Sequence, residues 1–226
     1  MATLGSLIHR KGVDVLLRAF ATAHRKDPRL RLRIGGDGPQ AGDVAQLART
    51  LGIAHLVELV GQVDDLARFL AGGADLFATA SRSETLNRSV VEAGYCGIPV
   101  VASDLPAHVE TLGGRSHAWF TPVEDVHDLA DALLHAARAD VERIELGARL
   151  QAHVRSRFTM ARYVEEFDAA YGELLARAPH AYGWCSLHAP PVLRRWIGSA
   201  VRRRLPRRED RRRPSRSLTP APWRPA

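Results

Sequence analysis

Apolar residues recur in two alternating patterns along the first 178 positions of the chain. Short apolar runs bounded by Gly, Pro or Asp predict buried strands, and apolar residues three and four positions apart predict amphipathic helices. The predicted strands cover residues 30–34, 56–60, 76–79 and 99–102, with one more near Trp119. The predicted helices cover residues 13–26, 44–51, 65–71, 89–96, 106–112, 125–138, 140–156 and 160–177.

This order of elements predicts the fold class. Short strands that alternate with helices favour right-handed crossovers and a parallel sheet. We therefore expect an α/β domain over residues 1–178 with a doubly wound, Rossmann-like parallel sheet.

The periodic pattern ends at Pro179. Residues 179–226 hold eight of the 13 prolines and three of the four tryptophans, together with two runs of three arginines. Such a segment has too little apolar surface to order itself, so we predict a disordered tail with at most a helical turn or two around residues 192–201.

The net charge of +7 is concentrated in this tail. Twelve arginines against one Glu and one Asp give residues 179–226 a charge of +10, which leaves −3 for residues 1–178. A basic arm of this kind suits docking on nucleic acid or on an anionic membrane. Arginine- and proline-rich ends also arise from frameshifted translation of GC-rich DNA, so both interpretations stay open.

Composition excludes several other classes of protein. The only cysteines, Cys96 and Cys185, are far apart, which argues against a zinc site and a disulfide framework. Cys96 lies in an apolar stretch and is expected to be buried. No apolar run approaches the ~20 residues of a membrane span, and no cationic start precedes an apolar run. We expect a cytoplasmic location, with peripheral membrane contact through the tail as an open alternative.

Two glutamates mark a candidate site between the predicted strands 76–79 and 99–102. In an open parallel sheet, ligands bind beyond the carboxyl ends of the strands, where a helix N-terminus presents free N–H groups. Glu84 falls in that crevice, and Glu92 falls about one turn inside the next helix. Two carboxylates would repel a bare phosphate, but they suit a ligand that carries both phosphate and hydroxyls, such as a nucleotide-sugar.

This stretch resembles the Glu-(seven residues)-Glu signature of retaining glycosyltransferases of the GT-B type, the family 4 or "glycosyl transferases group 1" enzymes. Five further segments resemble that family in the same order: a phosphate loop at residues 5–12 (GSLIHRKG), a turn at 34–39 (IGGDGP), a base-lining strand and turn at 57–66, a loop at 103–110 and a closing helix at 157–175. The resemblance covers roughly residues 3–178, and it matches only the C-terminal, nucleotide-sugar-binding half of such an enzyme.

The resemblance implies transfer of a glycosyl group from a nucleotide-diphosphate sugar to an acceptor that the sequence does not identify. It implies no cofactor and no metal, and no Asp-x-Asp pair or His/Asp cluster suggests one. Lys11 would neutralise the diphosphate, with Gly5 and Ser6 in the same loop. Glu84 would contact the sugar hydroxyls near the reacting carbon, as a positioning and electrostatic group rather than a covalent nucleophile.

The remaining donor contacts follow from the same resemblance. Glu92 would bind the ribose hydroxyls, and its apolar neighbours predict that it is buried, where an unpartnered carboxylate is costly. Val63 belongs to the segment that lines the base. Thr85, Asn87 and Arg88 follow Glu84 and are expected beside the donor.

Two departures from the family pattern change the chemistry. Ser6 stands where the family usually has an arginine, which removes a charge and a bidentate fork from the diphosphate site. Arg10 and Arg88 are the candidates to replace it, and Arg88 is the better placed by sequence. Residues 85–87 (TLN) stand where the family commonly has Gly-Phe-Gly, so they bring bulk and hydrogen-bonding groups near the donor. We take the three histidines that could serve in acid–base chemistry as structural: His9, His108 and His117.

Three functions remain open at this point. The first is an enzyme domain that acts with a separate N-terminal acceptor-binding domain. The second is a non-catalytic remnant of a split or truncated glycosyltransferase that holds a nucleotide-sugar. The third assigns the function to the basic tail.

Overall fold

Six strands and eight α-helices alternate in the part of the chain that the structure, a computed structural model, describes: the backbone of residues 1–188 and the side chains of residues 1–174. The strands are β1 (Ala2–Leu4), β2 (Leu32–Gly35), β3 (Val57–Gly61), β4 (Phe77–Thr79), β5 (Val100–Ser103) and β6 (Trp119–Thr121). The helices are α1 (Val13–Lys26), α2 (Ala41–Thr50), α3 (Leu66–Ala71), α4 (Arg88–Tyr95), α5 (Pro106–Thr111), α6 (Val126–Arg138), α7 (Asp140–Arg157) and α8 (Met160–His188). Residues Met1–Tyr163 form one compact unit, and residues from Val164 onwards belong to a second unit.

The strands form one parallel sheet in the order β3-β2-β1-β4-β5-β6. The chain runs outward from β1 to β3 and then returns to place β4 on the other side of β1, where Ala2 pairs with Phe77. The strand order therefore reverses between β1 and β4, and ligands of open α/β sheets bind beyond the carboxyl ends of the strands at such a point. The doubly wound parallel sheet predicted from the sequence is confirmed.

Helices cover both faces of the sheet, because strand side chains alternate between two hydrophobic cores. On one face, α1, α2 and α6 pack over Leu32, Ile34 and Val101. On the other face, α3, α4 and α7 pack over Phe77 and Val100. Loops at the carboxyl edge are thus held between two packed layers. No helix among the described residues is long and apolar enough to cross a membrane.

The predicted elements are all observed, and β1 (Ala2–Leu4) is an additional strand that the apolar pattern did not predict, because only three residues form it. The largest shift at a helix start has a local cause. Helix α2 begins at Ala41 rather than at residue 44. Gly42 lowers the helix propensity of its first turn, which hid this turn from the sequence pattern. Asp43 in the same turn favours the helix through its interaction with the N-terminal end of the helix dipole.

Two expectations about the chain need correction. Cys96 is exposed rather than buried, because α4 buries the side that carries Val90, Ala93 and Gly94, and Cys96 lies off that side. Helix α8 continues to His188, so the predicted domain boundary at residue 178 falls inside it. Pro179 removes one backbone hydrogen bond from the helix but does not end it. The remaining tail predictions, including helical turns at 192–201, lie outside the described residues.

The contact between α7 and the end of α4 generates a first prediction. A Cβ added at Gly147 in α7 would overlap the carbonyl oxygen of Gly97, a backbone atom that cannot move without shifting the chain. We expect Gly147→Ala to lower the free energy of unfolding by about 1–3 kcal/mol, as overpacked positions do, measured by urea denaturation.

Gly42→Ala is the matched control, because Gly42 also lies in a helix but a Cβ added there would meet no other atom within 4 Å. This exposed helical glycine should become more stable by about 0.5–1 kcal/mol when replaced by alanine. Equal changes at the two glycines would contradict the close α4–α7 packing.

Candidate functional site

The loops that follow β1 and β2 are joined by backbone hydrogen bonds at the carboxyl edge of the sheet. The N–H of Gly5 donates to the carbonyl of Gly35 (3.1 Å), and the N–H of Leu7 donates to the carbonyl of Asp37 (2.9 Å). Gly36 adopts a φ of 120°, and a Cβ there would overlap the carbonyl oxygen of Gly5. This close packing explains the glycines of the segment 34–39.

The same loop reaches the end of β4 just before α1 begins. Gly12 has a φ of 61°, and a Cβ there would overlap the carbonyl oxygen of Ala80. Only glycine permits this approach of one backbone to another. Lys11, at the end of a single 3-10 turn, therefore lies beside both the N-terminus of α1 and the loop that follows β4.

Lys11 and Glu84, two of the residues singled out from the sequence, form an ion pair. Lys11 Nζ lies 2.6 Å from Glu84 Oε1. The same carboxylate accepts from the Ser81 hydroxyl at 2.9 Å and from Arg10 Nη1 at 3.2 Å. The Glu84 side chain is only 2% exposed, against 17% for Lys11 and 48% for Arg10. Because the carboxylate is buried and multiply bonded, its orientation is fixed.

This cluster has the charges that a phosphate- and hydroxyl-bearing ligand requires. Two cations surround one carboxylate, which leaves one positive charge beside the free N–H groups of α1. An ammonium carries three N–H donors, so Lys11 can hold Glu84 and still donate to a phosphate. The arrangement can bind an anion and a hydroxyl side by side.

The structure brings Arg10, rather than Arg88, to this cluster. Arg10 donates to the carbonyl of Ser83 and to Glu84, both at 3.2 Å. Arg88 is exposed at the first position of α4, and Ser6 is exposed in the β1–α1 loop. Arg10, the neighbour of Lys11 in sequence, is therefore the arginine best placed to supply the positive charge that Ser6 lacks.

Asn87 does not lie where the sequence suggested. Its side chain is 3% exposed, and its amide nitrogen lies 3.4 Å from Thr79 Oγ1 and 3.3 Å from His108 Nε2. An amide used in this way is turned into the core and does not line the crevice. Thr85, in contrast, is exposed beside Glu84.

Glu92 is exposed, so the expectation that it is buried is wrong. Its neighbours in sequence suggested burial, but adjacent residues on a helix point in different directions. The buried side of α4 carries Val90, Ala93 and Gly94, and Glu92 lies on the opposite side. The position remains accessible to a ligand in solution.

The position of Val63 and two pockets of the structure indicate where the site lies. Val63 is partly buried against the core, close to Gly35. A narrow pocket between the ends of β1, β2 and β4 is lined by residues that include Gly5, Lys11 and Thr79. A larger pocket of about 280 Å³ lies at the amino ends of the strands, where Arg29 and Arg143 line it and are already paired with carboxylates. We therefore place the candidate site at the carboxyl edge.

Arg82 links the elements around the site through hydrogen bonds, and no sequence pattern singled it out. Its guanidinium forms two hydrogen bonds to Asp14 (2.8 and 2.9 Å), one to Glu124 (2.7 Å) and one to the carbonyl of His9 (2.6 Å). These hydrogen bonds lower the pKa of the Asp14 carboxyl, and Asp14 in turn raises the pKa of Arg82. The contact joins α1, the turn that carries Lys11 and the loop after β6.

Of the three histidines, only His108 lies in the core near the site. It is fully buried, and its Nδ1 lies 2.8 Å from the carbonyl of Ser103. Burial lowers the pKa of His108 below its ordinary value. His9 is exposed beside Lys11, and burial and the neighbouring His153 lower the pKa of His117. Within the described residues, no three His, Cys, Asp or Glu side chains form a cluster suited to a metal ion.

The ion pair generates a second prediction. In a double-mutant cycle with Lys11→Met and Glu84→Gln, we expect a coupling free energy of about 1.5–3 kcal/mol, the range of hydrogen bonds to charged groups, because both partners are shielded from water. The measurement is the free energy of urea unfolding of the four variants.

The exposed pair Lys26–Asp131 is the matched control. Its N–O distance is 3.0 Å, but the two side chains are 56% and 69% exposed. Surface pairs of this kind contribute about 0–1 kcal/mol, so the Lys26→Met and Asp131→Asn cycle should give much the smaller coupling. Equal couplings would mean that the Lys11–Glu84 pair is as hydrated as a surface pair.

The buried histidine generates a third prediction. Because the folded pKa of His108 is lowered, the unfolded chain binds a proton that the folded chain does not as pH falls below about 6.5. His108 should therefore contribute a loss of stability that begins near pH 6.5 and continues until the folded pKa is passed. His108→Gln should flatten the slope of unfolding free energy between pH 6.5 and about 5.5. His127→Gln, at an exposed position, is the matched control substitution. A wild-type slope in His108→Gln would show that the ring is not buried neutral.

Comparison with known proteins agrees with this geometry. The family described as "Glycosyl transferases group 1" matches residues 1–139. The D-inositol 3-phosphate glycosyltransferase of Saccharomonospora viridis is 32% identical over 190 residues, which are 78% of this chain and 43% of that protein. The gpi3 subunit of phosphatidylinositol N-acetylglucosaminyltransferase of Schizosaccharomyces pombe is 28% identical over 134 residues, 59% of this chain and 29% of that protein. The chain thus spans less than half the length of these relatives.

Solved structures agree on the fold. HepE of Anabaena, in complex with UDP, superposes with a TM-score of 0.70 at 22% identity, over 76% of this chain and 48% of that one. The pneumococcal O-GlcNAc transferase GtfA, in complex with UDP and GlcNAc, superposes with a TM-score of 0.67 at 22% identity, over 77% of this chain and 35% of that one. Because the family match covers more than half of the chain and relatives share about a third of its residues, the chain is a member of the glycosyl transferases group 1 family.

Proposed function

We propose that this chain binds a nucleoside diphosphate sugar at the carboxyl edge between β1 and β4, as the donor half of a retaining glycosyltransferase. The observation that carries the proposal is the Lys11–Glu84 pair at the N-terminus of α1, which holds a cation and a carboxylate 2.6 Å apart. A nucleotide-sugar carries phosphates, which suit the ammonium, and hydroxyls, which suit the carboxylate.

In this proposal the diphosphate lies against Lys11 and the N–H groups at the start of α1. When the bond between the sugar and the diphosphate breaks, negative charge grows on the departing oxygen. A fixed ammonium and oriented amides stabilise that charge without rearranging. Arg10, next to Lys11 in the cluster, supplies the second cation in place of the arginine that Ser6 replaces.

The hydroxyls of the donor are assigned to the two glutamates. Glu84 accepts from the sugar, and the accessible carboxylate of Glu92 accepts from the ribose. Val63, beside Gly35, lies on the side where the base would stack. Thr85, exposed in the loop before α4, and Arg88, exposed at the first position of α4, complete the contacts with the donor.

The relatives support the choice of donor class. The two solved structures compared above hold UDP, and HepE has also been solved with UDP-glucose. Uridine nucleotides are therefore the first probes to use. No metal or cofactor enters the proposal: Lys11, Arg10 and the α1 amides supply positive charge to the diphosphate.

The proposal also concerns the acceptor of the glycosyl group. Since the chain spans 43% of the length of its Saccharomonospora relative, we assign acceptor binding to a second domain. A cytoplasmic location, with peripheral membrane contact through the basic tail, is part of the same proposal and rests on cysteine usage and charge alone.

A second candidate is a domain that binds the donor but does not transfer the sugar. The serine at position 6 favours it, because one charge of the diphosphate site is missing there. A function of the basic tail in docking falls mostly on residues beyond 188, which the structure does not describe. A neighbouring reading frame that encodes an acceptor-binding Rossmann domain would favour transfer over simple binding.

Donor binding is the fourth prediction. In a panel of UDP, UDP-glucose, UDP-GlcNAc and GDP-mannose, at least one nucleotide should raise the melting temperature and bind in calorimetry. Lys11→Met should weaken this binding by roughly 10- to 100-fold, the loss expected when a charge-assisted hydrogen bond is removed. Glu92→Ala should weaken it less, because the ribose contact is exposed.

Lys26→Met is the matched control, since Lys26 is the only other lysine of the chain and pairs with Asp131 on the surface. It should bind the same nucleotide as the wild type does. The proposal is wrong if no nucleotide of the panel binds, or if the two lysine variants bind equally well. Release of UDP from UDP-glucose by the chain would favour transfer, and binding without release would favour the second candidate.

A further inference from the structure

A row of buried polar side chains leads from the core beside α5 to the carboxylate of Glu84. We call it the buried polar network, and its members are His108, Asn87, Thr79 and Ser81, none more than 5% exposed. The successive distances are 3.3 Å from His108 Nε2 to Asn87 Nδ2, 3.4 Å from there to Thr79 Oγ1, 3.2 Å from there to Ser81 Oγ, and 2.9 Å from there to Glu84 Oε1.

The direction of the first hydrogen bonds follows from one fixed acceptor. The carbonyl of Ser103 can only accept, so His108 Nδ1, at 2.8 Å, carries the proton. The pKa of His108 is lowered by burial, which favours the neutral ring, so its Nε2 is an acceptor. Asn87 must therefore present its NH₂ group to the ring, and its second N–H donates to Thr79.

The other end of the network is fixed by charge. The Glu84 carboxylate can only accept when ionised, so Ser81 spends its single O–H on Glu84. Thr79, which already accepts from Asn87, must then donate to Ser81. Every hydrogen bond from Asn87 onwards points toward Glu84, and each hydroxyl serves once as donor and once as acceptor.

This arrangement leaves no spare donor or acceptor among the hydroxyl groups. If any one side chain rotates, a buried donor or acceptor loses its partner, and that loss is costly away from water. The network therefore holds the Ser81 hydroxyl in one orientation, and through it holds Glu84 Oε1. On the solvent side, Lys11 holds the same oxygen at 2.6 Å. Among the described residues, Glu84 Oε2 is hydrogen-bonded to Arg10 alone, a half-exposed side chain that can move aside.

We propose that Asn87, Thr79, Ser81 and His108 are positioning residues that lock the carboxylate of Glu84, so that Oε2 is presented to a hydroxyl of the donor sugar. The proposal rests on the function proposed above and adds to it the residues that determine recognition of the sugar. It gives Asn87 a role inside the protein, where it orients Glu84, instead of a contact with the donor.

The proposal predicts a selective loss of recognition of the sugar. Thr79→Val keeps the shape of the side chain and removes its hydroxyl, and Ser81→Ala removes the direct donor to Glu84. In calorimetry on the full chain, each should raise the ratio of the Kd for UDP-glucose to the Kd for UDP by roughly 3- to 10-fold, the effect of losing one hydrogen bond. The Kd for UDP should change by less than about twofold, because Lys11 is untouched.

Two variants separate positioning from a general loss of structure. Thr79→Ser keeps the hydroxyl and should restore the wild-type ratio. Ser103→Ala removes a hydroxyl that is 3% exposed and lies 3.5 Å from the Thr79 carbonyl, but that is not a member of the network. It should leave the ratio unchanged, although it perturbs the same part of the core.

A measurement without any nucleotide tests the network itself. In long-range ¹H–¹⁵N spectra, the His108 signals, identified by their loss in His108→Gln, should show a neutral ring with the proton on Nδ1 near neutral pH. A proton on Nε2, or a charged ring, would reverse the direction of the hydrogen bonds and overturn the proposal.

The outcomes distinguish this proposal from the one on which it rests. If UDP-glucose binds and depends on Lys11, but Thr79→Val and Ser81→Ala leave the ratio of Kd values unchanged or raise both Kd values together, only the positioning proposal falls. If the wild type binds no nucleotide of the panel, the proposed function falls, and the positioning proposal falls with it.

Discussion

Between β1 and β4 the sheet brings two loops together, and Gly12 lets the first of them reach the carbonyl oxygen of Ala80 with no side chain in between. The rest of the crevice depends on this approach of two backbones. It places Lys11 beside the loop that carries Glu84, and it directs the N-terminus of α1 at the same point. The Arg82 contacts to Asp14 and to the carbonyl of His9 keep the two loops at this separation.

The carboxylate at the centre of this site is held from two sides by different chemistry. Cations hold it on the side of solvent, where in the proposed function their charge also attracts a phosphate. Neutral hydroxyl and amide groups hold it on the side of the core, where a charged partner would be costly to bury. A carboxylate held in this way keeps its orientation, which is what recognition of one hydroxyl among several requires.

The sequence predicted the fold well because strand and helix periods are local properties. It also singled out Lys11 and Glu84, through the resemblance to the family, but not their pairing, since 73 residues separate them. The error at Glu92 has a clear cause: burial was inferred from residues one and two positions away, which lie on other sides of a helix. The inward orientation of Asn87 and the contacts of Arg82 depend on how α4 and α1 pack, which no local pattern contains.

The net charge of the crevice has different consequences for binding of the donor and for transfer of the sugar. Lys11 and Arg10 together outweigh Glu84 by one charge, and the N-terminus of α1 adds only about half a charge more. A nucleoside diphosphate carries more negative charge than this, and that charge concentrates on one oxygen as the sugar leaves. In the proposed function the cluster therefore holds the nucleotide, and a further cation would add to the stabilisation of the charge that develops in the reaction. Arg88, exposed at the start of α4, and the side chains of the proposed acceptor domain are the groups that can supply it, so in the proposed function donor binding and transfer rest partly on different residues.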